Sequence, residues 1–140
     1  MNRIFTLGLL LMVLISACNP ETDWLTISDY PNGEIKIQQE YYINGEDTVF
    51  TYQKIFGING SLQLEGELED DKRQGLWKSY YPNGDPWSQT EFKDGLKEGK
   101  TKTWYKNGKL RYSGYYIDDK EGGEWHWYDS TGTFIKKVEL

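Results

Sequence analysis

One spacing constrains this chain more than any other feature. Gly60, Gly84, Gly108 and Gly132 advance by 24 residues each time, and each follows an Asn or Thr, namely Asn59, Asn83, Asn107 and Thr131. Four marks on one ruler describe an array of equivalent units, each too small to bury its own apolar face. A second series keeps the step: Gly75, Gly99 and Gly123, followed two residues later by Trp77, Thr101 and Trp125. Tyr80, Trp104 and Tyr128 are aromatic in every copy, and Asp70, Asp94 and Asp118 are acidic in every copy. A looser unit opens at Tyr30-Pro31-Asn32-Gly33, with Gly33 lying 27 residues before Gly60.

Within one unit Leu62, Leu64, Gly66 and Leu68 alternate with Gln63, Glu65 and Glu67, the period of a strand with one buried face. A turn follows at Asp70-Asp71-Lys72-Arg73-Gln74-Gly75, then a second strand from Leu76 to Tyr81. Asn-Gly closes the unit, and a type I′ turn is expected there because both of its central residues need positive φ. Each unit is thus one β-hairpin. A lone hairpin is marginal in water, so the copies must lie side by side. The expected fold is all-β: an antiparallel meander of about eight or nine strands built from 24-residue β-hairpin repeats. Equivalent side chains of successive repeats then sit roughly 10 Å apart, in rows.

Composition agrees. The chain has 11 Tyr and 6 Trp, residues that suit half-buried pleated surfaces. The formal charge is -6, from 16 basic and 22 acidic residues. That balance excludes nucleic acid, whose phosphates call for a basic stripe, and electrostatic adhesion to anionic lipid.

The first residues are of another kind. Met1-Asn2-Arg3 forms a short positive segment, Ile4 to Ile15 an apolar stretch, and Ser16-Ala17 the small residues a signal peptidase accepts. The stretch is too short for a permanent span, which takes about 20 residues. Leu14-Ile15-Ser16-Ala17-Cys18 resembles the lipobox of bacterial lipoproteins, and Cys18 is the only cysteine. That resemblance implies a thioether to diacylglycerol on Cys18 and a further acyl chain on its exposed amino group. Two or three chains anchor stably where one does not. The expected organisation is a signal peptide over 1–17, a lipid-anchored tether over 18–29 and the repeat domain over 30–140. Asn19, where Asp would favour inner-membrane retention, points to the outer membrane in a cell that has one.

The unit Tyr80-Tyr81-Pro82-Asn83-Gly84, with Phe92-Lys93-Asp94-Gly95, Gly99 and Trp104-Tyr105-Lys106-Asn107-Gly108, resembles the variant MORN repeat of bacterial proteins often labelled as the YwqK-type antitoxin family. The similarity covers most of Asn59 to Gly132, and more loosely the chain from Tyr30 onward. It implies a row of hairpins serving as a spacer, scaffold or interaction surface. Neutralising a cytosolic toxin would require a cytosolic protein, whereas the leader predicts export.

No catalytic constellation, cofactor motif or metal cluster emerges. The acidic turns at Asp70, Asp71, Asp94, Asp118 and Asp119 read as solvated turns, since rows roughly 10 Å apart cannot share one ion. His126, the single histidine, has no partners for a zinc site or a triad. Paired carboxylates such as Glu65 with Glu67 have nothing to raise one pKa selectively. The candidate binding surface is aromatic: Trp77, Tyr81, Trp104, Tyr105, Trp125 and Trp127. Neighbours such as Trp104 and Tyr105 face opposite ways in a strand, so some of these rings lie outside a one-sided core. They either form an exposed row, or are covered by the segment Trp24 to Val49 or by the sheet curling on itself. The functional expectation is a non-catalytic protein-interaction or scaffold module in the cell envelope, bound to the membrane through Cys18 and to an unidentified envelope protein. The alternative is a carbohydrate-binding lipoprotein that uses the Trp and Tyr rows.

Overall fold

A computed structural model describes residues 20–140; the leader and Cys18 lie outside the described residues. Ten strands form one sheet in chain order, each hydrogen-bonded antiparallel to the next. They are β1 Asp23–Asp29, β2 Ile35–Asn44, β3 Asp47–Phe56, β4 Leu62–Glu69 and β5 Lys72–Tyr80, followed by β6 Pro86–Lys93, β7 Leu96–Trp104, β8 Leu110–Ile117, β9 Lys120–Tyr128 and β10 Phe134–Glu139. The all-β meander is as the repeat requires, with more strands than the expected eight or nine.

The added strand comes from the N-terminal side. β1 starts at Asp23, inside the stretch read as a tether, and pairs with β2 from Asp23↔Tyr41 to Asp29↔Ile35. Its Trp24 packs edge-on against Tyr52 at 6.2 Å and carries the Lys54 ammonium over its ring at 4.2 Å. The segment Trp24 to Val49 therefore lengthens the sheet at its edge and covers neither face. The longer first unit is absorbed by two 10-residue strands and by a bulge between Glu40↔Tyr52 and Tyr41↔Phe50.

The two kinds of turn exchange the roles expected of them. The two-residue loops with positive φ at both positions are Asp70-Asp71, Asp94-Gly95 and Asp118-Asp119, the torsions of type I′. Asp tolerates the left-handed region better than most side chains. At Pro82-Asn83-Gly84 only the glycine has positive φ. Gly84 N–H donates to the Tyr81 carbonyl at 2.8 Å, and Tyr81 N–H to the Asp85 carbonyl at 2.8 Å. This is a three-residue loop with a type I turn closed by a left-handed glycine. Asn83 contributes an acceptor to it, taking the Asp85 N–H at 3.3 Å, as Asn107 takes that of Lys109 at 3.1 Å.

Adjacent hairpins are stitched at both ends. Tyr30, Tyr81 and Tyr105 each donate their hydroxyl to a main-chain carbonyl at the next Asn-Gly or Thr-Gly corner, those of Phe56, Trp104 and Tyr128, at 3.0, 2.8 and 3.0 Å. At the acidic turns Gly95 N–H reaches the Arg73 carbonyl at 2.9 Å and Asp119 N–H that of Lys97 at 3.0 Å. The sheet's two faces differ. One unbroken cross-strand row, from Gln38 and Lys54 through Glu65, Lys78 and Lys102 to His126 and Lys137, is polar and defines the rear. The front carries the core. Among the described residues the buried apolar side chains are Leu68, Trp77 and Trp125.

Candidate functional site

Each repeat carries a surplus around its bulge glycine; in the middle one Glu91 faces Glu98, Gly99 and Lys100, and the two that flank it share a register one residue away. Between Glu65↔Lys78 and Glu67↔Gln74, Gly66 alone faces Gly75, Leu76 and Trp77. The surplus recurs where Gly114 faces Gly123, Glu124 and Trp125. Gly75 and Gly123 turn the bulge with φ of 64° and 63°, torsions that cost glycine little. The bulge swings the following tryptophan over the glycine across from it. A Cβ added to Gly66 would lie inside the Trp77 indole, and one added to Gly114 inside that of Trp125. Both rings are 2% exposed, and their N–H groups are satisfied by the Glu67 and Gly122 carbonyls at 3.0 and 3.1 Å. Gly-x-Trp on one strand and Gly on its neighbour are thus one packing unit. Each buried indole contributes about 4–6 kcal/mol of gross hydrophobic stabilisation, an upper bound for a chain with so few buried side chains.

The middle repeat breaks the unit at both positions together. Thr101 stands where its neighbours have Trp, and Thr90 stands where they have Gly. The two threonines pair directly across β6 and β7, and their hydroxyls share a 2.8 Å hydrogen bond. With no indole between Trp77 and Trp125, the front face has a notch of about 270 Å³, near the lower end for a ligand site. Its floor is hydroxylic. Ser79 and Ser88 share a 2.6 Å bond, Thr101 donates to the Gln89 carbonyl at 3.2 Å, and Ser79, Thr101 and Thr103 are buried. The front row that crosses the floor is apolar on its far side, at Ile37, Ile55 and Leu64, and polar at Ser79, Ser88 and Thr103.

Aromatic rings and two cations enclose this floor. The Arg73 guanidinium lies over Trp77 at 4.3 Å and over Phe92 at 5.4 Å, and the Lys97 ammonium lies over Tyr116 at 4.7 Å. Burial pulls the Arg73 pKa below its ordinary value. It pushes the Tyr116 phenol up, helped by Tyr112 and Glu121. Among the described residues neither cation is in an ion pair; the two that form join Glu124 to His126 and Lys137. At the other end Trp87 is the extra residue between Ser79↔Ser88 and Tyr80↔Pro86, and it stays 47% exposed.

The aromatic row expected as a binding surface separates into different jobs. Trp77 and Trp125 are core, because the bulge folds them onto glycine, so they offer no contact surface. Tyr81 and Tyr105 are half-buried clamps between hairpins. Trp104 is half-buried and supplies the carbonyl Tyr81 binds. Trp127 stacks on Trp125 at 5.8 Å, with Lys136 over it at 4.8 Å. His126 lies on the rear, 2.9 Å from Glu124. The sequence reading missed Arg73, Lys97 and the hydroxyl floor; the signal for them was the lone Thr101 between two tryptophans in the Gly-x-Trp series.

A family model for the MORN repeat variant matches two adjacent copies, residues 73–94 and 97–118. Those copies hold Arg73, Thr90, Lys97 and Thr101. No curated protein matches the chain. Among solved structures, the crystal structure of a GtfA/B complex bound to UDP and GlcNAc aligns at 12% identity with a TM-score of 0.33, over 80% of this chain and 21% of that one. The chain spans about a fifth of the length of that structure.

Proposed function

We propose that this protein is a non-catalytic interaction module of the bacterial envelope, tethered by acyl chains on Cys18, that docks a protein partner in the front-face notch. The notch carries the reading. An array of this kind has no reason to drop an indole and its paired glycine from one repeat only, losing buried apolar area, unless the vacated surface is used. The two matched MORN repeat variants support an interaction or scaffold role. The floor hydroxyls are bonded to each other and to a carbonyl, with neither imidazole nor carboxylate beside them, an arrangement suited to binding and not to nucleophile activation. The face of a ring is what stacks on a sugar, and in the notch those of Trp77, Phe92 and Tyr116 carry Arg73 and Lys97; Trp87 alone is not the row that the carbohydrate alternative needs.

Two experiments test the two halves. Cells fed an alkyne-bearing palmitate should label the wild-type chain and leave Cys18→Ser unlabelled and out of the membrane fraction; equal labelling would remove the anchor. For docking, a partner crosslinked in cells to the full chain should be lost when the notch is filled by Thr90→Gly with Thr101→Trp. Retention of the same partner would place the contact elsewhere.

A further inference from the structure

The notch also indicates the chemistry of its occupant, given the docking reading above. We propose that it takes an extended acidic segment of a protein, with one carboxylate between Arg73 and Lys97 and an apolar side chain four residues along against Trp87.

Charge is the first ground. The chain carries a net charge of -6 with 22 acidic residues, yet Arg73 and Lys97, one repeat apart on either side of Phe92, are in no ion pair among the described residues. A half-buried guanidinium without a counter-ion has lost hydration and received no carboxylate in return. A ligand carboxylate supplies it, and the planar fork of Arg suits two oxygens at once. The next position in the same series is Glu121, opposite Tyr116, so the positive ground ends after two repeats. A polyanion would meet that carboxylate and the acidic chain around it; a single carboxylate meets only the two cations.

Length is the second ground. Phe92, under Arg73, and Ser88, beside Trp87, are four residues apart on β6, roughly 13 Å. An extended peptide covers that distance with residues i and i+4, whose side chains leave on the same side. The stretch between them lies over Ser79, Ser88, Thr90, Thr101 and Thr103, a floor that can meet main-chain polar groups. The notch therefore matches an acidic end, a polar middle and an apolar end in one short strand.

The test is fluorescence anisotropy of the full chain in detergent micelles with labelled pentapeptides. Position one is Glu or Gln, position five is Leu, Phe or Ser, and the middle is polar. The proposal expects Glu peptides with an apolar fifth residue to bind about tenfold or more tighter than their Gln counterparts. That preference should disappear in Lys97→Gln and in Arg73→Gln, whose folding is checked by circular dichroism, and partly survive in Arg73→Lys. All binding should vanish in the Thr90→Gly/Thr101→Trp protein. Equal binding of Glu and Gln peptides, abolished by filling the notch, would overturn the acidic assignment and leave the docking reading standing. Binding that survives filling would overturn the docking reading itself. Peptides that fail while oligogalacturonate shifts the tryptophan emission would overturn the peptide in favour of an acidic glycan.

Discussion

Restoring the missing indole is the sharpest perturbation of the packing account. In flanking repeats the tryptophan sits on a glycine that has no room for a Cβ, so Thr101→Trp and Thr90→Gly should each be poor alone and good together. A tryptophan at 101 that reached the position of Trp77 would bury 150–250 Å², about 4–6 kcal/mol gross. Against this stand the Thr90–Thr101 hydrogen bond, about 1 kcal/mol, a glycine in a strand at about 0.5–1 kcal/mol, the methyl groups lost from two threonines and the ordering of a large side chain. The double variant should gain about 1–3 kcal/mol. Thr101→Trp alone meets the Thr90 Cβ and pays overpacking of about 1–3 kcal/mol, and Thr90→Gly alone loses about 1–2 kcal/mol. Urea denaturation followed by circular dichroism reads all four proteins. A coupling energy of about 2 kcal/mol or more is expected. Changes that add to within about 0.5 kcal/mol would refute the claim that position 101 covers position 90.

Gly66→Ala should cost about 3–5 kcal/mol, as much as losing a core tryptophan, because the new Cβ displaces Trp77; chemical denaturation checks it, and a cost near zero would contradict the packing. Tyr105→Phe should remove about 1 kcal/mol by leaving the Tyr128 carbonyl without its 3.0 Å donor, read as a shift in the urea midpoint. Burial and then Glu65 push the Tyr52 phenol up to about 12, and burial with a 2.5 Å hydrogen bond to Glu65 pushes Tyr80 up as well. Both folded values lie above the ordinary 10.0. Their share of stability is therefore complete below pH 10 and is lost as pH rises from there toward and beyond 12. In Glu65→Gln these tyrosines should ionise at lower pH, which phenolate absorbance would follow; an unchanged titration would count against the assignment.

The fold was legible because its information is periodic. Alternation through Leu62, Leu64, Gly66 and Leu68 fixed the buried face, and the step from Gly60 to Gly132 fixed the hairpin as the unit. Composition misled at the turns: Asn-Gly is the commonest type I′ pair, but here Pro82 sets up a type I turn and the acidic loops take the doubled left-handed conformation. β1 was hidden because its partner strand lies in the one unit of irregular length. The site was the least legible part. Alternation does place Trp77 and Trp125 on the front, opposite Thr90 and Val138, but it does not show that the surplus residues at Gly75 and Gly123 set each indole over a glycine of the preceding strand and bury it. In the pattern alone a buried indole and an exposed one look alike, and Thr101 marks the gap between two buried ones.

The central claim is that partners are met on the front face, at the notch. A photo-crosslinking residue placed in cells at Ser88, on the notch floor, and separately at Gln89, its rear-facing neighbour, tests it most directly. A discrete crosslinked protein is expected from position 88, absent from position 89 and lost when Thr90→Gly and Thr101→Trp fill the notch. The same product from both positions, or one that survives the filling, would contradict it.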